Sequence, residues 1–196
     1  MRRPLIFCLS CVLAAVVTGG GSVIAQSTPT PTATPTKFDV CALIQKKEIE
    51  ALQGSIKDAK GSERVDGDFR VSQCFYTAAE FSRSVNITVF QKNPTDPSRR
   101  SPTEFWKHTF GRYAEKKEGE HEEKEAKEPR EKEEGAPPRK IEHLGNDAYW
   151  VPSRFGGTLY VLKGEAILSI SIGGADSEEV KIDKSKKLAS KALRRF

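Results

Sequence analysis

The chain has 196 residues, of which 37% are hydrophobic and 30% charged, which is polar for a globular protein. Its formal charge is +5, and loss of Arg2 and Arg3 with an N-terminal signal leaves +3. So mild a balance argues against nucleic-acid binding, which needs a clustered basic face. Residues 27–36 and 115–140 carry almost no core-forming side chains. What remains, about 130 residues, suits a single hydrophobic core.

The N-terminus has the three parts of a secretory signal over residues 1–25. Met1-Arg2-Arg3 is the basic start, Leu5 to Val17 the apolar run, and Val23-Ile24-Ala25 the cleavage region, leaving Gln26 first. The apolar run is shorter than the roughly 20 residues a membrane-spanning helix needs. Cys8 and Cys11 lie too early for a lipid-modified cysteine, so they are expected to leave with the signal. Cys41 and Cys74 then remain, and in an exported chain this pair reads as a disulfide. Residues 26–37 form a Pro/Thr-rich linker, extended at about 3.1 Å per residue.

Along the domain, 38–196, Asp39 to Leu52 reads as a helix. Asp39 is its cap, Val40, Leu43, Ile44, Ala51 and Leu52 its apolar stripe, and Gly54 its stop. Phe69–Ala78 and Ser84–Gln91 alternate with period two and read as strands. Ser101-Pro102-Thr103-Glu104 is a capping box. The helix it opens carries Phe105, Trp106, Phe110 and Tyr113, read as a core stripe. Residues 115–140 form a charged insertion expected to be disordered, because its Glu and Lys cannot bury apolar area.

Three strands follow, at Asp147–Val151, Thr158–Leu162 and Ala166–Ile172, the last two joined by a tight turn at Lys163-Gly164. The closing helix, Ser177 to Phe196, sets Ile182, Leu188, Ala189, Ala192 and Leu193 against a solvated basic face that includes Lys181. The expectation is an α+β domain in the order α-β-β-α-β-β-β-α. Its mainly antiparallel sheet has about five strands with flanking helices, an α/β sandwich.

The pattern Asp39-x-Cys41-x-Leu43, Gly54, Cys74-x-Tyr76, Leu144-Gly145-Asn146-Asp147-Ala148-Tyr149-Trp150 and Leu159-Tyr160-Val161-x-Lys163-Gly164 resembles families of exported bacterial envelope domains, many of them lipoproteins. The likeness covers roughly 38–114 and 141–196. It implies a small, disulfide-bonded, PsbP-like sandwich and no catalytic residues. The chain departs from it in lacking a lipid-attachment site and in carrying the charged insertion.

The sequence holds none of the short catalytic or nucleotide-binding motifs. Its three histidines, His108, His121 and His143, lack metal-ligand spacing. No cofactor and no metal is therefore expected. The leading reading is a non-enzymatic binding or interaction module of the envelope, periplasmic or extracellular, with a small ligand or an envelope component as partner. Tyr149, Trp150, Arg154 and Phe155 are its ligand-facing candidates. Two alternatives stay open: a small secreted hydrolase with a spatial triad through His143, and a structural envelope protein that docks partners through its charged insertion.

Overall fold

The computed structural model describes residues 39–114, 136–154 and 156–196. The signal, the linker and residues 115–135 of the charged insertion lie outside them.

The expected first helix is two pieces. Asp39 caps a 3-10 turn, Val40–Ala42, by accepting from the Cys41 N–H. Helix α1, Lys46–Gln53, begins separately under a capping box in which Glu48 accepts from the Gln45 N–H. Ala51, expected in the apolar stripe, is exposed, and Ile49 is fully buried. Gly54 ends the helix with φ +84°, a conformation that costs glycine nothing.

Seven strands follow rather than five, all paired antiparallel: β1 Ile56–Asp66, β2 Phe69–Ala78, β3 Val85–Lys92, β4 Arg139–Lys140, β5 Asp147–Ser153, β6 Gly156–Lys163 and β7 Ala166–Ile172. The spatial order is β1-β2-β3-β7-β6-β5-β4. The two additions are the edges. In β1 only Ile56 is buried, and its charged side chains suit an unpaired edge. In β4, Arg139 and Lys140 pair with Trp150 and Tyr149, so the end of the expected insertion belongs to the sheet.

Helix α2, Pro102–Ala114, follows β3, and helix α3, Glu178–Ala192, follows β7 with Ser177 as its cap. The capping box of α2 forms as expected: Glu104 accepts from the Ser101 N–H, and Ser101 Oγ from the Glu104 N–H.

The sheet is covered on both faces. On one, α1, α3 and the 3-10 turn close the main core over Cys74, Tyr76, Ile87, Trp150, Leu159 and Ile170. Cys41 and Cys74 are disulfide-bonded, which ties the 3-10 turn to β2. Beside the bond, Tyr76 donates its hydroxyl to the carbonyls of Ile44 (2.7 Å) and Cys41 (3.0 Å), and burial pushes its pKa up to about 12. Lys181 departs from the expected solvated face of α3. It is buried, with its Nζ end closest to Gly156.

On the other face, α2 is the only described element covering the sheet, through Trp106 and Phe110. Trp106 donates its indole N–H to Asp147 on β5 at 2.9 Å, and Asp147 also pairs with Lys140. Thr103 donates its hydroxyl to Glu165 in the β6–β7 turn at 2.9 Å. These contacts hold α2 over the end of the sheet where that turn lies.

Candidate functional site

Cross-strand pairing sets three rungs on the face that α2 covers. Val71, Phe90, Ile167 and Leu162 form the first, under the helix. Gln73, Thr88, Ser169, Tyr160 and Tyr149 form the second. Phe75, Asn86, Ser171, Thr158 and Val151 form the third. Apolar chemistry thus gives way to amides and hydroxyls with distance from the helix. The polar groups pair among themselves, Gln73 with Asn86 at 2.6 Å and Thr158 with Ser171 at 2.7 Å.

One helix cannot fill the space above these rungs. An α-helix is about 10 Å across, while strands lie about 4.8 Å apart, so its footprint spans about two strands. Beside α2 a cavity of about 330 Å³ remains open. Its floor is Phe90, Ile167, Tyr160 and Val151 from the sheet, with Phe69 at one side and Pro138 at the other. Its wall is α2, through Phe105, Thr109, Arg112, Phe110 and Tyr113.

The helix splits its own residues between two tasks. Trp106 and Phe110, at i and i+4, go into the packed layer, where Phe110 stacks on Tyr149 with ring centres 4.9 Å apart. Phe105, Thr109 and Arg112, at i, i+4 and i+7, form the neighbouring stripe and line the cavity. Phe105 meets Phe69 edge-to-face at 5.3 Å, and the Arg112 guanidinium lies 5.2 Å from the Tyr113 ring centre.

The polar chemistry of the cavity is sparse: one hydroxyl at Thr109, phenols at Tyr113 and Tyr160, and the guanidinium of Arg112. Burial pushes the Tyr160 phenol up, so at neutral pH it stays protonated and able to donate. An apolar hollow with a few polar groups at its rim is the usual form of a small-ligand site. Its volume lies at the low end of that class.

The residues expected to face a ligand are placed otherwise. Tyr149 and Trp150 are both fully buried, and as neighbours on β5 they point to opposite faces of the sheet. They therefore cannot share a surface. Tyr149 packs beneath α2 next to the cavity, and Trp150 lies in the opposite core. Arg154 is exposed in the turn after β5, and Phe155 lies outside the described residues. His143 is exposed in the turn before β5 with φ +59°, and none of the described hydrogen bonds reaches its ring. Among the described residues, no group of three or more His, Cys, Asp or Glu is placed to hold a metal ion, and no helix is long and apolar enough to cross a membrane.

Comparison with protein-family models, with curated proteins and with solved structures gives no match to the chain.

Proposed function

We propose that the protein is a non-catalytic binding module that takes a small, largely apolar ligand into the cavity between α2 and the sheet. The observation that carries this reading is the second stripe of α2. Phe105, Thr109 and Arg112 face an aromatic-floored space that the helix does not fill. At about 30 Å³ per water-sized group, 330 Å³ admits a body of about ten non-hydrogen atoms. A ligand of that size reaches a Kd between about 1 mM and 1 μM.

The place of work in this reading is outside the cytoplasm. The signal-like N-terminus, the Cys41–Cys74 disulfide and the resemblance to exported envelope domains support it together.

Calorimetric titration of the oxidised chain with 1-octanol and 1-naphthol tests the proposal. Saturable binding is expected in the wild type. Thr109→Phe, which fills the space from the helix side, should abolish it while the circular dichroism spectrum and melting temperature are kept. Equal binding by the folded variant, or none by the wild type, would overturn the assignment.

A further inference from the structure

The cavity has an asymmetry of charge. Among the described lining residues, only Arg112 is charged at neutral pH and none is a carboxylate. Among the described ion pairs, none uses Arg112. Arg112 is exposed and so marks the mouth, while Ile167 is buried and Phe90 and Tyr160 are half-buried at the floor. The guanidinium rests near the Tyr113 ring, and none of the described side-chain hydrogen bonds uses it; its planar edge suits a planar acceptor. Thr109 stands one turn before it on the same face of α2.

We infer that the ligand is an anionic amphiphile: a monocarboxylate with a medium-length alkyl or single-ring body. The body would lie among Phe90, Ile167 and Tyr160, and the carboxylate would sit at the mouth. There Arg112 donates two parallel N–H groups to it and the Thr109 hydroxyl donates a further hydrogen bond. The opposite polarity, a cationic head, would bring like charge to Arg112 with no described acid in the lining to offset it. A dianionic or bulky head would leave charge unmatched by a single guanidinium. This assignment rests on the reading of the cavity as a binding site and goes beyond it in naming the head group.

Octanoate and 1-octanol, matched in length and different in head group, make the test. Both are titrated calorimetrically into the oxidised full chain, wild type and Arg112→Gln, at low and at high salt. The wild type is expected to prefer octanoate about fivefold, the scale of an ion pair open to water. Arg112→Gln should abolish the preference, so that the variant binds octanoate no more tightly than it binds octanol, and high salt should shrink the preference in the wild type. If octanol binds as tightly as octanoate, or if Arg112→Gln leaves octanoate affinity intact, the head-group assignment is wrong and the cavity stands as a neutral site. If neither probe binds the wild type, both readings fall.

Discussion

Glu48 ties the start of the domain to its end, and its charge can be removed almost without changing its shape. Its carboxylate accepts from Arg195 at 2.7 and 2.9 Å and from Lys191 at 3.1 Å, and it also caps Gln45. The Arg195 guanidinium, foremost, with the Gln45 N–H and Lys191, holds the carboxyl at about 2 against its usual 4.5. At 1.36 kcal/mol per pKa unit, a drop of about 2.5 sets a ceiling of about 3.4 kcal/mol. Water screens this heavily, because the Lys191 and Arg195 side chains are each 35% exposed, and about 1 kcal/mol is the working value. Glu48→Gln keeps an acceptor that can serve in the capping box, so the variant isolates the charge. A folded-state pKa below the unfolded one gives stability that is complete above about pH 5 and is lost as the pH falls toward 2. Thermal unfolding of wild type and Glu48→Gln should therefore differ by about 2–4 °C at pH 7 and converge near pH 2. A gap that stays constant across that range would refute the electrostatic account.

Two further outcomes follow from the cores. Replacing both Cys41 and Cys74 by Ser opens a loop of 33 residues and should cost about 3–4 kcal/mol, read as a lower urea midpoint than the oxidised wild type; an unchanged midpoint would show that the bond adds nothing to stability. Gly157→Ala drives a methyl into Trp150 Cζ2 and to 2.6 Å from Cε2, in a fully buried indole, and should destabilise by about 1–3 kcal/mol, whereas a neutral result would mean that β6 shifts freely.

The strands that could be read from sequence are those whose two faces meet different surroundings. Val85, Ile87 and Val89 enter the main core while Asn86 faces the polar rung, so β3 alternates. β1 could not be read this way, because past Ile56 it buries nothing and is held by its hydrogen bonds to β2. The first helix was misjudged in extent for a related reason. Val40, Leu43 and Ile44 fall on one helical face in sequence, yet the chain turns between them and Lys46, and Gln45 starts a new helix. Helix α2 was legible from its capping box, and its aromatics were legible as core, correctly for Trp106 and Phe110. The cavity was not legible, because Phe105, Thr109 and Arg112 form an ordinary mixed stripe until the helix is set beside Phe90 and Tyr160. Tyr149 and Trp150 drew attention as adjacent aromatics, but adjacency in a strand sends side chains to opposite faces.

The candidate site thus follows from an imbalance between the two faces of one sheet. The first face has two helices and a disulfide-linked turn, and it closes on a continuous core. Among the described residues the second has the 13 of α2, about 20 Å of helix, pinned at one end by Trp106–Asp147 and Thr103–Glu165. Those anchors fix where the helix stops covering the sheet. Beyond that line the chain has two ways to meet water. Over β3, β6 and β7 it turns polar, with Asn86, Thr158 and Ser171 hydrogen-bonded within their own face. Between that row and the helix the second rung is mixed, with Gln73, Thr88 and Ser169 beside Tyr160 and Tyr149, and the concave stretch is the one floored by Phe90, Ile167, Tyr160 and Val151. Phe69, Phe90, Tyr160 and Val151 border a space that no described residue fills, and a bound apolar group would explain it.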